Sequence, residues 1–438
     1  MAHRKSVQAA ALTTVAAASL LLAACGSTAA KPAASAAHQP VQISFWESHS
    51  AGGPPGLAVQ ALVTQFNREY PKMRVDLTIT KASHKALGAL AAGDAPVLAM
   101  ISHYDGSFLN ANALVPWNKI LLGGKNPIMS AATEQSIFPV VLGNGEVNGQ
   151  HYRLQADAKV SQLSYNEAMF AKAGITQPPA TWTQLASDLA LVKKAFPGVV
   201  PLAWKDSSAH ILPPFLSNGG SLFLPGSGGK KVDFLTPAAT ETFTYFRNLY
   251  HAGDMIFAHG SQIRADFASG HLAIADGTSA GYQKLLDAVG GKFPVGVVPY
   301  PKGSTGHSAN LAQGLGFVLM VHNTKAQEKA AATFVNWWFQ PKQQAYWGTH
   351  SGFPPETRAA LSDIPQSFMN SHPGIAVAVQ ILESPHTIAR PVSQAYKEVQ
   401  ASLDAEFYDA VTGHASVQAA LQALQQQADA YLSGNSAL

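Results

Sequence analysis

One pentapeptide has the spacing of a hydrolase nucleophile. Residues 277–281 read Gly-Thr-Ser-Ala-Gly and match the G-x-S-x-G pattern, with Ser279 at the centre. They stand between a predicted strand, 272–275, and a predicted helix, 282–289, which is the context that a nucleophile elbow requires. No His-Gly-Gly stretch precedes them to supply an oxyanion hole. We therefore expect a tight glycine turn that opens a helix, and an exported serine hydrolase using Ser279 is the alternative.

Metal and nucleotide chemistry find no support in the spacing of the relevant residues. Sixteen histidines are present, but none is spaced H-x-x-x-H, and Cys25 is the sole cysteine. Zinc sites in proteins need several such ligands at short, regular spacing. The run 226–231 contains Gly and Lys but lacks the spacing and the Ser/Thr of a phosphate-binding P-loop. We expect neither a metal nor another cofactor.

Polar and aromatic residues follow the ends of predicted strands. They are Trp46 and Glu47, His103 and Asp105, and Trp204. Strands alternate with helices along the chain, which indicates a largely parallel arrangement that receives ligands at the carboxyl ends of its strands. Aromatic faces stack on the apolar faces of sugar rings, so Trp204, which precedes the polar run 205–208, is expected to stack on a ligand.

Length and charge narrow the class of protein further. A chain of 438 residues is long enough for two domains with substantial cores. Arg4 and Lys5 lie in an N-terminal segment that we expect to be removed. The rest of the chain has 27 basic and 26 acidic residues. This near balance, without a basic patch, argues against nucleic acid as a partner.

The N-terminus has the pattern of an export signal. Arg4 and Lys5 precede the apolar run 9–22, which is too short to span a bilayer comfortably. Leu-Ala-Ala-Cys-Gly around Cys25 resembles the lipobox of bacterial lipoproteins, in which the cysteine carries the lipid and becomes the new N-terminus. We therefore predict a signal peptide over 1–24 and a flexible tether over 25–40, anchored to the membrane through Cys25.

The stretch from Tyr152 to Trp182 has the most specific pattern in the chain. A strand ending in "YN" is followed by a short helix with "KAGI", a "PP" pair, and "TW" opening the next helix, for which Thr181 is the predicted cap. This order resembles the extracellular solute-binding proteins of bacterial ABC importers. Similar matches occur at "FNREYP" (66–71) and "FPVGVVPYPKG" (293–303). The resemblance covers nearly the whole mature chain.

The resemblance implies a two-lobe α/β periplasmic-binding-protein fold. Each lobe would hold a mixed sheet flanked by helices, with the ligand cleft between the lobes. Lobe 1 would comprise 41–154 and 309–350, and lobe 2 would comprise 155–308 and 351–438. In this family the segment before "YN" carries the chain from one lobe to the other.

Within the family, the pattern is most similar to the glycerol-3-phosphate-binding branch. The resemblance implies that Trp204 stacks on the ligand, Gly314 offers backbone, Ser279 donates a hydrogen bond and Arg390 binds an anionic group in bidentate fashion. The sequence departs from the branch at Phe353 and at His84, where the relatives carry tyrosines. The acidic ligand contact of the branch corresponds to Asp105 or to His103. The full set of predicted ligand-binding residues is Trp46, Glu47, His84, His103, Asp105, Trp204, Ser279, Gly314, Phe353 and Arg390.

These observations lead to one function and two alternatives. We expect a monomeric lipoprotein that captures a sugar or polyol-phosphate solute and delivers it to the permease subunits of an ABC importer, without catalysing a reaction. The alternatives are the serine hydrolase and a surface receptor or adhesin on the same scaffold. Arg390 could also serve only structure, by pairing with Glu383.

Overall fold

The computed structural model describes residues 39–102, 105–123 and 127–434, without the side chain of Asp105. The predicted signal peptide, Cys25 and the predicted tether up to residue 38 lie outside this range, as does His103. Within the described residues no helix has the length and apolarity needed to cross a membrane.

The strands are short and are distributed along the whole chain. They are β1 (Val41–Glu47), β2 (Met73–Ile79), β3 (Leu98–Ile101), β4 (Leu114–Val115), β5 (Glu146–Val147), β6 (Gln150–His151), β7 (Leu154–Gln155), β8 (Ser161–Asn166), β9 (Val200–Trp204), β10 (Met255–Phe257), β11 (Leu272–Thr278), β12 (Val295–Pro299), β13 (Asn310–Ala312), β14 (Gly316–Met320) and β15 (Thr387–Ala389).

Helices connect most of the strands. They are α1 (Pro54–Glu69), α2 (Ala82–Ala91), α3 (Asp105–Asn110), α4 (Ala131–Ser136), α5 (Pro139–Leu142), α6 (Glu167–Lys172), α7 (Trp182–Ala195), α8 (Ser208–Ser217), α9 (Pro237–His251), α10 (Gly260–Ala268), α11 (Ser279–Val289), α12 (Lys325–Trp338), α13 (Pro341–His350), α14 (Gln366–Ser371), α15 (Pro373–Glu383), α16 (Tyr396–Thr412) and α17 (Val417–Gly434).

Two mixed sheets form the centres of two lobes, as the sequence predicted. The first has the order β2-β1-β3-β14-β4, with β7 beside β14, and the second has the order β10-β9-β11-β8-β12. In the first sheet β1 runs parallel to β2 and β3, and β14 is antiparallel to its neighbours. In the second sheet β9 runs parallel to β10 and β11, and β8 is antiparallel. The carboxyl ends of the parallel strands place Glu47 in one lobe and Trp204 in the other at sheet edges.

Each sheet has its own hydrophobic core. Phe45, Phe317 and Phe334 meet in the first core, with ring centroids 5.7 to 6.0 Å apart. Phe246 and Phe407 meet in the second, at 5.4 Å. Separate cores joined by few strands are the physical basis of two lobes that can move as bodies.

The chain passes from the first sheet to the second at residues 156–160, between β7 and β8, and returns at residues 300–315, between β12 and β14. A third passage, residues 383–388, leads from Leu382 in the first core to Ile388 against the second. The first two crossings pair with each other, because the N–H groups of Lys159 and Gln313 donate to each other's carbonyls at 2.8 and 3.0 Å. Residues 353–382 were predicted for lobe 2, but Phe353, Ala378 and Leu382 pack in the first core. The same segment also touches the second lobe, since α15 packs on β12 and α11.

Local signals around α7 are confirmed. The hydroxyl of Thr181 accepts a hydrogen bond from the N–H of Gln184 at 3.1 Å, so it caps the helix as predicted. Gly174 ends the preceding short helix with φ of +78°, a left-handed conformation that glycine adopts at little cost.

The predicted glycine turn at 277–281 is wrong. Strand β11 continues to Thr278, because Gly277 and Thr278 pair with Gln162 and Ser161 of β8. Helix α11 then begins directly at Ser279 and includes Gly281. Neither glycine has a positive φ, so the pentapeptide is a strand end followed by a helix start, without a sharp turn between them.

Candidate functional site

The segment 156–160 contributes side chains to two clusters of polar groups that lie between the lobes. On the first lobe it approaches the end of β1, and on the second lobe it approaches the start of α11. The N–H of Ser279 donates to the carbonyl of Val160 at 2.9 Å, and the Val160 N–H donates to the Ser279 hydroxyl oxygen at 3.3 Å. The ends of strands from both lobes therefore meet at this crossing.

A cationic cluster forms the first candidate ligand contact. It consists of Lys159 from the crossing, Lys205 from the end of β9 and Arg390 from the segment after β15. Burial lowers the pKa of the Lys159 ammonium, and the charges of Arg390 and Lys205 lower it further, against the opposing effect of Asp157. Lys159 is thus the member of the cluster on which the charges of both Arg390 and Lys205 act.

Arg390 is the member of this cluster that has unused hydrogen-bonding capacity. Its guanidinium carbon lies 5.6 Å from the ring centroid of Tyr396. Its Nε and Nη1 atoms are buried and have no acceptor among the residues that the structure describes. The alternative partner, Glu383, instead accepts from Arg358 at 3.3 Å. Two of the guanidinium nitrogens of Arg390 therefore keep unused donor capacity.

A carboxylate–histidine–carboxylate group lies beside the cationic cluster. Both ring nitrogens of His49 are engaged: Nδ1 contacts a carboxylate oxygen of Glu47, and Nε2 lies 2.9 Å from Oδ2 of Asp157. Burial alone would lower the pKa of His49. The hydrogen bonds and charges of Asp157 and Glu47 outweigh that effect and raise the pKa to about 9.

Gly314, for which a backbone contact to the ligand is predicted, lies against this group. Its φ is +141°, and a Cβ there would lie 2.2 Å from Oδ1 of Asp157 and 2.3 Å from the Asp157 carbonyl oxygen. Only glycine fits this close approach. The neighbouring Leu315 N–H donates to Oδ1 of Asp157, so this carboxylate connects the first two crossings.

A cavity of about 470 Å³ opens between the lobes beside His49. Its wall includes the loop after β1, the first turns of α11 and the segment after α13, with Pro54, Ser279, Tyr282 and Phe353 among the lining residues. Phe353 stacks on Trp347, with ring centroids 5.7 Å apart. Clefts of this size hold small ligands in many proteins.

Of the predicted site residues, Ser279 and Phe353 line this cavity, and Arg390 belongs to the cationic cluster. Glu47 contacts His49 rather than open space. Trp46 packs partly buried against the small core around Phe108, and His84 lies exposed on α2. Asp105 begins α3, and nothing further is described of it or of His103.

The predicted role of Trp204 is contradicted by its burial. Its side chain is 0% exposed and packs in the second core. The centroids of Phe246, Tyr300 and Trp182 lie 4.8, 5.2 and 6.1 Å from that of Trp204. These rings cover the indole, which leaves it no face for a ligand.

The sequence reasoning missed His49, Asp157, Lys159 and Lys205. Lys205 directly follows a strand end, which is a signal that could have identified it. His49 follows β1 by two residues, but its partner Asp157 is 108 positions away. Only the fold brings these two side chains together.

Among the described residues, no histidine makes a hydrogen bond to the hydroxyl of Ser279. Its hydroxyl oxygen accepts from Val160, and His49, which lines the same cavity, has both ring nitrogens on carboxylates. A protonated imidazole held in this way has no lone pair for a serine proton.

Comparisons with known proteins agree with this architecture. The profile of the family described as "Bacterial extracellular solute-binding protein" matches residues 61–375. The sn-glycerol-3-phosphate-binding periplasmic protein UgpB of Yersinia pseudotuberculosis is 24% identical over 420 residues, covering 89% of this chain and 92% of that protein. UgpB of Pectobacterium atrosepticum is also 24% identical over 420 residues, covering 89% and 91%.

Solved structures show the same fold. The cyclic alpha-maltosyl-1,6-maltose binding protein from Arthrobacter globiformis has a TM-score of 0.78 at 20% identity, covering 90% of this chain and all of that chain. UgpB from Mycobacterium tuberculosis, in complex with glycerophosphocholine, has a TM-score of 0.75 at 20% identity, covering 90% and 98%. Together with the family match over most of its length, this shows that the chain belongs to the bacterial extracellular solute-binding proteins.

Proposed function

We propose that this protein captures a small anionic solute, a sugar phosphate or polyol phosphate, between its lobes and delivers it to the permease of an ABC importer. The observation that carries the proposal is Arg390, whose buried Nε and Nη1 have no acceptor in the described part of the chain. Two buried guanidinium nitrogens without acceptors are costly, and a phosphate group would supply the acceptors that they lack.

The surroundings of Arg390 support an anion over a neutral sugar. Lys159 and Lys205 add positive charge to the same cluster. Burial of like charges near one another is unfavourable unless a counter-charge joins them. Phe353 carries no hydroxyl and Trp204 is covered, so charge rather than stacking is the main source of affinity in this proposal. The names of the relatives, sn-glycerol-3-phosphate-binding proteins, support the same ligand class.

The test is calorimetric titration of sn-glycerol 3-phosphate into wild type and Arg390→Gln. The variant should lose about 2–3 kcal/mol of binding free energy, which is the range of a charge-assisted hydrogen bond. Arg358→Gln is the matched control, because Arg358 pairs with Glu383 on the surface and should leave the affinity unchanged.

Two results would overturn the proposal. One is the absence of binding by the wild type to sn-glycerol 3-phosphate and to glycerophosphocholine. The other is equal affinity in wild type and Arg390→Gln.

We also infer that no reaction follows binding, so the ligand should be recovered unchanged after the titration. Hydrolysed product that disappears in Ser279→Ala would favour the hydrolase.

We further propose that a lipid on Cys25 holds the mature protein at the outer face of the cell membrane. The short apolar run and the lipobox pattern at 22–26 support this anchor. Cys25→Ala should leave the protein unlipidated and release it from the membrane fraction, because the chain has no second cysteine. Membrane-bound Cys25→Ala after a high-salt wash would contradict the anchor.

A further inference from the structure

His49 occupies an unusual electrostatic position in the cleft. It lies two residues after the end of β1, and its backbone N–H donates to Oε1 of Glu47 at 2.7 Å. Its ring bridges the carboxylates of Glu47 and Asp157, which are 0% and 3% exposed. The side chain itself lines the cavity between the lobes. One cation thus stands between two buried anions at the wall of the cleft.

Asp157 connects this group to the cationic cluster. Its Oδ2 contacts His49, its Oδ1 accepts from the Leu315 N–H, and its charge acts on the ammonium of Lys159. The charge carried by the Glu47–His49–Asp157 group is therefore felt where we propose that the ligand binds. With His49 protonated this group carries a net charge of −1, and without that proton it would carry −2.

Further titratable and aromatic groups lie around His49, beyond the two carboxylates that it contacts. Glu356, beside Asp157, is fully buried, and burial raises its pKa well above the usual value, which favours its neutral form. Trp347 and Phe353 face the ring of His49 at 6.1 and 5.7 Å. Across the cavity lie Lys284 and Asp287 of α11, Tyr282, His350 and His372.

We propose that His49 is a specificity-determining residue for the anionic solute: its imidazolium offsets the carboxylates of Glu47 and Asp157, so that the cleft accepts a negative charge beside Lys159 and Arg390. This inference rests on the proposed function. His49 does not itself donate to the ligand, because both of its nitrogens are already engaged. It acts through the electrostatic potential of the site.

Removal of the imidazolium has a consequence that depends on pH. Burial raises the pKa of Asp157, and His49 opposes that shift. In His49→Gln the opposing interaction is lost, so the pKa of Asp157 rises further. At low pH the carboxyl is then protonated and the group keeps a charge near −1. As pH rises the carboxyl ionises, the group reaches −2, and the anionic ligand is repelled.

The experiment compares three proteins in calorimetric titrations with sn-glycerol 3-phosphate between pH 6 and pH 9. His49→Gln should bind more weakly than wild type by about tenfold at pH 8, the effect of one added charge about 12 Å from the ligand at an effective dielectric near 20. The difference in affinity between His49→Gln and wild type should become smaller toward pH 6. The double variant His49→Gln/Asp157→Asn restores a net charge of −1, and the oxygen of the new side-chain amide can still accept from the Leu315 N–H. Its affinity should return to within about threefold of wild type.

A second measurement does not depend on the folding of the single variant. Wild type should lose affinity as pH passes about 9, where His49 loses its proton. The double variant contains no such proton, so the ratio of the two affinities should change over that range. The inference is overturned by a constant ratio, or by a folded His49→Gln that binds like wild type at every pH. A wild type that binds no phosphate ester would instead overturn the proposed function, and this inference with it.

Discussion

At the scale of single residues, Glu356 shows how burial changes the chemistry of a carboxyl group. The side chain is fully buried, its Oε1 accepts from the N–H of Ala158 at 2.5 Å, and its Oε2 has no partner among the described residues. Burial, with a smaller contribution from Asp157, raises its pKa well above the usual value. Glu356 therefore joins the crossing to the first lobe in surroundings that favour its neutral form.

This state predicts a pH dependence of stability. The unfolded chain releases the Glu356 proton near pH 4.5 and the folded chain keeps it, so the free energy of unfolding falls as pH rises above 4.5. Glu356→Gln removes this slope, which reaches at most about 1.4 kcal/mol per pH unit. In urea unfolding between pH 5 and pH 8, the free energy of unfolding of the variant should increase relative to that of wild type as pH rises.

The quantity to compare is the change of the unfolding free energy with pH, not its value at any single pH. A glutamine amide in place of Oε2 brings a buried donor whose cost is the same at every pH. Glu383→Gln is the control, because Glu383 is exposed and should change with pH as wild type does. Parallel curves for Glu356→Gln and wild type would show that Glu356 is ionised in the folded protein.

Trp204 shows where reasoning from single residues reached its limit. Its place at a strand end was predicted correctly, since β9 ends at Trp204. Its burial depends on rings from α7, α9 and the residue after β12, which are far apart in the chain. Sequence position predicts which edge of a sheet a residue occupies, but not which helices cover it.

At the scale of elements, local signals were reliable where the element is stabilised locally. The predicted start of α7, with Thr181 as its cap, agrees with the structure because the cap bonds within the first turn of the helix itself. Strand β11 extends three residues beyond the prediction because β8 pairs with it. This pairing connects segments more than 100 residues apart, so no local pattern could reveal it.

The contact between α15 and α11 gives a prediction at this scale. A Cβ on Gly374, in the first turn of α15, would lie 2.3 Å from Cδ1 of Tyr282. Gly374→Ala should therefore push the helices apart and cost about 1–3 kcal/mol of stability. Gly88→Ala is the matched control: Gly88 lies within α2 with no atom near its absent Cβ, and alanine there should stabilise by about 0.5–1 kcal/mol. Thermal or urea unfolding measures both, and a Gly374→Ala as stable as Gly88→Ala would show that α15 moves freely on α11.

At the scale of the whole molecule, the two-lobe architecture was the most predictable feature. The exact lobe boundaries stay a prediction. The segment 353–382, predicted for lobe 2, has side chains in the first core while its helix α15 packs on the second lobe, so its apolar residues are compatible with either core. The candidate ligand contacts were only partly predicted, since Lys159, Asp157 and His49 join the site through the crossings between lobes.

The contact between the lobes at Gly106 leads to a variant that we expect to change ligand affinity but not the stability of the free protein. Gly106, near the start of α3 in the first lobe, lies against the segment after β15 in the second, where Ser393 donates to the carbonyl of Gly229 at 2.7 Å. A Cβ on Gly106 would lie 2.8 Å from the backbone oxygen of Ser393. Because the clash involves backbone on both sides, rotation of a side chain cannot relieve it.

Gly106→Ala should therefore hold the lobes apart without disturbing either core. We expect weaker binding of sn-glycerol 3-phosphate, by about tenfold or more, because closure would have to displace backbone at a cost of about 1–3 kcal/mol. The melting temperature without ligand should change little, and the rise in melting temperature on adding ligand should shrink. Small-angle scattering should show a larger radius of gyration than wild type at saturating ligand. If Gly106→Ala binds and contracts like wild type, the approach of α3 to Ser393 is not part of the ligand-bound state.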